Sequence, residues 1–363
     1  MHVPDGFINA PVSAVAGVVA AGAVAVSLRG ARRELGGASL SDGTGGGGER
    51  TAPLAGLVAA FIFAVQMLNF PVAAGTSGHL LGGALAAILV GPYTGVLCIA
   101  VVLLMQGILF ADGGLTALGV NITVMGVVTT VVAYGLFRGL TRVLPRGRRS
   151  TTVASFVAAL VSVPAAAAAF TLIYAIGGTT DVPIGKVLTA MVGVHVLIGI
   201  GEAAITALTV GAVIAVRPDL VYGARGLAAP LKLRVGGELI DAPAAAPAPV
   251  AVAARSTRKV WATGLAAALV LAGFVSFYAS ADPDGLEKVA ADKGIDEKVQ
   301  EHGAAGSPLA DYGVKDIGDA RISGGLAGVI GVGSTVAVGT GVFWAVRRRR
   351  TSEAPATPVT GAV

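Results

Sequence analysis

Nine apolar blocks, most of them close to the length of a bilayer crossing, constrain the fold of this chain more than any other feature. They lie at about 9–28, 52–72, 80–91, 95–110, 116–137, 151–176, 186–216, 260–279 and 323–346. A helix needs about 20 apolar residues to cross the hydrocarbon core of a bilayer. The 80–91 block is short for a crossing, but a short or tilted helix is tolerated when it packs inside a bundle.

The composition agrees with a membrane protein. Only 13% of the 363 residues are charged, against about 25% in soluble domains. We therefore expect an all-α polytopic membrane protein, with a seven-helix bundle followed by a two-helix membrane hairpin. A soluble enzyme, a nucleic-acid-binding protein and a disordered chain are all disfavoured.

The positions of Lys and Arg predict how the chain crosses the membrane. If the N-terminus lies outside, the inside segments carry all but six of the 26 basic residues, as the positive-inside rule requires. We expect these clusters to contact anionic lipid and to bind no nucleic acid. Residues 1–7 carry no Lys or Arg, the opposite of a signal peptide, so the first helix is expected to be retained, with the C-terminus in the cytoplasm of a prokaryotic cell.

Two linkers divide the predicted helices. Residues 36–50 are rich in Gly, and residues 217–258 include the Ala/Pro spacer DAPAAAPAPVAVAA, a composition typical of extended linkers. We predict a metal-binding bundle at 1–217, a cytoplasmic linker at 218–258, a two-helix unit at 259–350 and a cytoplasmic tail at 351–363. The outer loop 280–322 of the two-helix unit is acidic, which suits either a solvated cap or a surface that concentrates cations; His302 in this loop is expected to be solvated.

The N-terminal dipeptide is a candidate metal chelate. The amine of Met1, the amide nitrogen of His2 and Nδ1 of the His2 imidazole close a five-membered and a six-membered ring on one cation. Three nitrogens in a plane suit a square-planar ion such as Ni(II) or Cu(II). The ligands must shed protons, so binding is expected to fall below about pH 6.

His79 is the candidate fourth nitrogen, because its segment joins two helices at the end of the bundle where Met1 lies. The alternative is a histidine that is merely wetted at the membrane interface. Irregular polar backbone at membrane depth is tolerated where it lines a cavity. Four nearby side chains could hydrogen-bond the free ring nitrogen of a ligand, namely Gln66, Asn69, Thr76 and Ser77.

His195 and Glu202 are seven residues apart, so both project from one face of a predicted helix. Ionisable residues inside a membrane are functional candidates by default. A structural pairing and a role in supporting the metal site or its conformational change are both open at this point.

Several motifs together resemble the CbiM/NikM family, the substrate-binding components of energy-coupling-factor (ECF) cobalt and nickel importers. They are MHVPDGF at 1–7, NFP at 69–71, TSGHL at 76–80, and His195 followed by IGIGE at 198–202. The PDGLE sequence at 283–287 resembles the small N component of these importers, found separate or fused. One departure is NITVM at 121–125, where relatives often have Asn-x-Phe-Asn-Met.

The resemblance implies a seven-helix bundle like that of ECF substrate-binding components and a transported divalent cation, Ni²⁺ or Co²⁺, with no further cofactor. It implies as ligands the Met1 amine, the His2 amide and imidazole, and the His79 imidazole. The implied partners are a transmembrane coupling protein and cytoplasmic ATP-binding subunits, which agrees with the lack of a GxxxxGK[ST] phosphate loop in this sequence. The alternatives are a stand-alone secondary metal permease and, more distantly, an intramembrane hydrolase using His195 and Glu202.

Overall fold

The computed structural model describes residues 1–36, 51–73, 75–225, 232–235, 238–241 and 257–348. The Gly-rich segment predicted as a linker lies outside these residues from position 37 onward, and so does the Ala/Pro spacer apart from its first residue.

The described residues form ten α-helices and two short antiparallel strand pairs. The helices are α1 (Ala10–Gly36), α2 (Thr51–Gln66), α3 (Gly83–Val90), α4 (Pro92–Leu109), α5 (Leu118–Val143), α6 (Arg148–Gly177), α7 (Ile184–Val216), α8 (Arg258–Gly273), α9 (Gly285–Lys293) and α10 (Ala320–Arg348). The first half of α5 is π-helical over Ile122–Val128. The strands are β1 (Phe70–Ala73), β2 (Thr76–Gly78), β3 (Lys232–Val235) and β4 (Glu238–Asp241), and β1 pairs with β2 and β3 with β4.

All nine apolar blocks are helical, and the predicted all-α membrane fold is confirmed. Seven helical segments in the described residues are long and apolar enough to cross a membrane, five of them before the linker and two after it. The 52–72 and 80–91 blocks are the two exceptions. Helix α2 has 16 residues. Helix α3 has only eight, or about 12 Å of rise, and it is preceded by the non-helical residues 79–82. All eight are buried, because the surrounding helices rather than lipid enclose them.

The C-terminal helices pack directly on the N-terminal bundle. Helix α10 crosses α2 so closely that a Cβ added at Gly339 would lie 3.2 Å from the Gly56 Cα. Helix α8 also lies against α2, where a Cβ at Gly264 would lie 2.8 Å from a methyl carbon of Leu57. Small residues allow such close approach of helices in membranes, so α8 and α10 extend the bundle.

The two ends of the bundle differ in charge. One end, here called the basic end, carries the arginines at the close of α1 and at the junction of α5 and α6. The Glu34 carboxylate is buried there and accepts hydrogen bonds from the backbone N–H groups of Tyr93 (3.1 Å) and Thr94 (2.7 Å). These are unpaired donors of the first turn of α4, so Glu34 caps that helix. The N-terminal segment, the β1–β2 hairpin and α9 lie at the opposite end.

Candidate metal site

The N-terminal segment is inserted into the bundle. Met1 and Phe7 are each 2% exposed and Val3 is fully buried. The Asn121 side chain at the start of the π-helical part of α5 holds Val3 on both sides, accepting from its N–H (2.8 Å) and donating to its carbonyl oxygen (3.1 Å). Asp5 accepts hydrogen bonds from the backbone N–H groups of Leu115 (3.2 Å) and Thr116 (2.7 Å). The first two residues are therefore fixed in position.

The Met1 amine meets His79. Its nitrogen lies 2.6 Å from Nε2 of His79 and 2.6 Å from Oδ2 of Asp284. Oδ2 of Asp284 is in turn 3.5 Å from Nε2 of His79. The imidazoles of His2 and His79 stack with ring centroids 5.0 Å apart. One ligand atom from each of His2, His79 and Asp284 falls within 4.8 Å of the other two. The structure therefore brings the predicted ligand residues Met1, His2 and His79 together, and it adds Asp284, which was not predicted.

His2 is held by two polar side chains that the sequence analysis did not single out. Its Nε2 lies 3.2 Å from Oε1 of Gln106 and its Nδ1 lies 3.2 Å from Oδ1 of Asp112. Burial, partly offset by the Asp112 carboxylate, lowers the pKa of His2 to about 4, so the ring is neutral at pH 7. When Nε2 carries the proton and donates it to Gln106, the Nδ1 lone pair is left for a cation.

His79 follows the β1–β2 hairpin and precedes α3. Its Nδ1 donates to the carbonyl oxygen of Leu80 (3.0 Å), which leaves the Nε2 lone pair directed at the Met1 amine. The next two residues are held by Glu202 on α7, whose carboxylate accepts from the backbone N–H of Leu81 (2.6 Å) and of Gly82 (3.0 Å). Gln66 donates to the Leu81 carbonyl oxygen (2.9 Å).

The predicted supporting residues thus act differently from the expectation. Gln66 holds the backbone after His79 rather than a ring nitrogen, because the Leu80 carbonyl already occupies Nδ1 of His79. Glu202 holds the same backbone, and for this residue a supporting role was one of the two alternatives. Asn69 and Thr76 lie in the hairpin, where Asn69 accepts a hydrogen bond through its backbone carbonyl from Ser280 (2.8 Å).

His195 and Glu202 share one buried face of α7, as their spacing predicts, but do not pair with each other. The Nδ1 of His195 donates to the Met191 carbonyl oxygen one turn earlier (2.7 Å). Its Nε2 is buried without a hydrogen-bond partner among the described residues.

Asp284 is the functional candidate that the sequence analysis missed. It lay there within the acidic outer loop and within the PDGLE motif at 283–287, but it was given no role of its own. Its Oδ1 accepts hydrogen bonds from the backbone N–H groups of Leu286 (2.7 Å) and Glu287 (2.9 Å) at the start of α9. In return, the Glu287 carboxylate accepts a hydrogen bond from the backbone N–H of Asp284. The Asp-x-x-Glu spacing is a capping-box signal readable in the sequence, although nothing local reveals that Oδ2 reaches Met1.

The charge of Asp284 is fixed by its neighbours. Burial opposes ionisation, but the Met1 ammonium and His79 outweigh it and hold the pKa of the Asp284 carboxyl well below its usual range. The loop is tied to the hairpin by Ser77, which donates from its N–H to the Pro283 carbonyl (2.9 Å) and from its hydroxyl to the Asp282 carbonyl (2.7 Å). Because Ser77 is only two residues before His79, these bonds hold the Asp284 carboxylate beside the His79 imidazole.

A cavity of about 740 Å³ adjoins this cluster at the same end of the bundle. Its lining includes His2, His79, Asp112, Asp284 and Tyr312. His302 also lines it and, contrary to the expectation of a solvated residue, lies 3.1 Å through Nε2 from the Gly113 carbonyl oxygen. Nitrogen and carboxylate groups thus converge beside a cavity in a membrane bundle.

A helical membrane bundle in which buried side chains lie close enough together to hold a metal ion is the arrangement expected of a protein that handles metal ions in the membrane. A family profile described as "Cobalt uptake substrate-specific transmembrane region" matches residues 2–220, so the chain belongs to this family. A second profile, the PDGLE domain, matches residues 258–348. The resemblance to CbiM/NikM proteins fused to a PDGLE unit is therefore confirmed.

Curated relatives and a solved structure agree with this membership. A putative metal transport protein of Haloquadratum walsbyi is 40% identical over 222 residues, covering 61% of this chain and 94% of that protein. A putative fused nickel transport protein of Archaeoglobus fulgidus is 37% identical, covering 61% of this chain and 68% of that protein. A crystal structure described as a transition metal transporter is 26% identical, with a TM-score of 0.50, and covers 60% of this chain and 93% of its own.

Proposed function

We propose that this protein is the substrate-specific membrane component of an ATP-driven ECF importer for nickel or cobalt. The observation that carries the proposal is the 2.6 Å approach of the Met1 amine to Nε2 of His79, with the His2 imidazole stacked beside it. Relatives are named nickel and cobalt transport proteins, which supports Ni²⁺ or Co²⁺ as the cargo. The substrate cation is captured from outside in this cluster.

The proposed ligand set is the Met1 amine, the His2 amide and Nδ1, and Nε2 of His79. Four nitrogens of this kind suit a square-planar or tetragonal divalent ion. Gln106 and Leu80 accept the ring N–H groups that are not used, which orients each imidazole as metal-bound histidines generally are. Because metal ligands must be deprotonated, one proton of the Met1 ammonium and the N–H proton of the His2 amide both leave when the cation binds.

Partners and orientation belong to the same proposal. The energy for release inward is assigned to a transmembrane coupling protein and cytoplasmic ATP-binding subunits, because the sequence has no P-loop motif. The bundle is placed with the metal site outside and the basic end in the cytoplasm, as the distribution of Lys and Arg favours.

The test moves the amine without removing a side chain. Protein purified with a C-terminal tag is titrated with Ni²⁺ and Co²⁺ and compared with the same protein carrying two extra residues before Met1. We expect the extension to abolish high-affinity binding, because the free amine no longer adjoins His2. His79→Ala should lose binding as well. Unchanged affinity in the extended protein would show that the amine is not a ligand and would overturn the proposed site.

A further inference from the structure

Asp284 belongs to the C-terminal PDGLE unit, yet its carboxylate lies inside the nitrogen cluster of the N-terminal bundle. Oδ2 is 2.6 Å from the Met1 nitrogen and 3.5 Å from Nε2 of His79. We propose that Asp284 is a ligand of the transported cation, so that the two units share one metal site. The inference rests on the proposed function, since it takes Met1, His2 and His79 as the nitrogen ligands.

The spacing of the donor atoms fits a shared ion. Donors about 2.1 Å from one divalent metal are about 3.0 Å apart at a right angle and about 3.4 Å apart at a tetrahedral angle. The 3.5 Å between Oδ2 and Nε2 of His79 is close to this range. The two 2.6 Å contacts of the amine are ammonium hydrogen bonds, and they need to open by only a few tenths of an ångström.

The two oxygens of Asp284 have separate tasks. Oδ1 is engaged by the backbone N–H groups of Leu286 and Glu287, which fixes the carboxylate plane and leaves Oδ2 directed at the cluster. Close packing of α9 on α7 supports this position: a Cβ added at Gly285 would lie 2.7 Å from a methyl carbon of Ile198 and 3.2 Å from the His195 ring. The oxygen is therefore built into the site rather than carried on a free loop.

The charge of the site supports the same assignment. Met1 and His79 are buried, and among the nitrogen ligands only the deprotonated His2 amide is anionic, so the nitrogens alone would leave one charge of a divalent cation uncompensated in a poorly solvated place. An isolated buried charge is costly unless it is paired or coordinated. Asp284 pairs with the ammonium before the cation arrives, and it supplies an anionic oxygen to the cation afterwards.

Two substitutions separate the ligand role from the helix-cap role. Asp284→Asn keeps an oxygen that can cap α9, since Asn is as good an N-cap as Asp, but removes the anionic donor. Asp284→Glu keeps the carboxylate and weakens the cap. Asp282→Asn, with the same loss of charge on an exposed side chain two residues away, is the matched control.

The full-length protein and these variants are titrated with Ni²⁺ and Co²⁺, and the visible absorption of bound Co²⁺ is recorded at saturation. A ligand role predicts that Asp284→Asn weakens binding by more than about tenfold, that Asp284→Glu binds more tightly than Asp284→Asn, and that both change the Co²⁺ spectrum. The Asp282→Asn control should match the unsubstituted protein.

The opposite ranking, with Asp284→Asn near normal and Asp284→Glu weak, would reduce Asp284 to a helix cap. An unchanged Co²⁺ spectrum in Asp284→Asn, or tighter binding, would also overturn the ligand role. In each of these cases binding that still depends on His79 and the free amine leaves the proposed function intact. Binding independent of both would refute that function itself.

Discussion

Replacing Glu202 by Gln should weaken metal binding, although Glu202 is not among the proposed metal ligands. The Glu202 carboxylate accepts from the N–H of Leu81 at 2.6 Å and of Gly82 at 3.0 Å. Hydrogen bonds to a charged group contribute about 1.5–3 kcal/mol each, and a neutral one contributes about 1 kcal/mol. A Gln keeps one acceptor and turns its NH₂ group toward the second N–H. The hydrogen bonds that hold the backbone after His79 therefore contribute about 3 kcal/mol less to stability.

The assay is nickel titration together with thermal unfolding in the same detergent. We expect Glu202→Gln to unfold at a lower temperature and to bind nickel about 10–100-fold more weakly, the usual cost of removing a group that orients a metal ligand. Glu34→Gln is the matched control, because Glu34 also accepts two backbone N–H bonds while buried but lies at the basic end. It should lose stability and keep its affinity for nickel.

Normal nickel affinity in Glu202→Gln, together with a loss of stability like that of Glu34→Gln, would refute the argument. It would mean that the non-helical segment after His79 does not set the position of the imidazole.

Two further substitutions test the docking of the N-terminal segment. Asn121→Leu removes both hydrogen bonds to Val3 and leaves the buried Val3 N–H unpaired, which costs about 2–3 kcal/mol. Nickel affinity should fall, and proteolysis of the N-terminal segment should accelerate. An unchanged nickel titration would show that Val3 docks without Asn121. Asp112→Asn removes a negative charge that lies 3.2 Å from Nδ1 of His2, the nitrogen proposed to bind the cation. The loss of this attraction should weaken nickel binding by about tenfold, and equal or tighter binding would contradict this.

The long helices could be predicted from the sequence because lipid-facing spans are apolar over their whole length. The length and setting of helix α3 could not be predicted in the same way. Helix α3 is apolar because protein surrounds it, and hydropathy does not distinguish a helix enclosed by protein from one that faces lipid. The β1–β2 hairpin was interpreted only as irregular polar backbone, since its three or four paired residues give no period to detect.

The candidate site was predictable where its chemistry is local. Met1 and His2 are adjacent in the chain, and a chelate can be inferred from adjacent nitrogens alone. The assignment of His79 as a ligand depended on the family resemblance or on the predicted position of its segment at the end of the bundle. Asp284 was recognisable as a helix cap from its local spacing with Glu287. Its contact with Met1 depends on how α9 packs on α7 and on the hydrogen bonds from Ser77, and no local pattern encodes that packing.

Helix α3 also determines the order in which the protein can be assembled. Its eight residues are too few to enter the bilayer as an independent span, and it packs against α2, α4, α5, α6 and α7, four of which are synthesised after it. The amides of Leu81 and Gly82 meet their acceptor only when Glu202 arrives on α7. A nascent chain that stops before α7 therefore already contains His2 and His79 but has no fixed place for the second imidazole. At the proposed site, the capacity to hold a cation would therefore arise late in biosynthesis, after most of the membrane helices are in place.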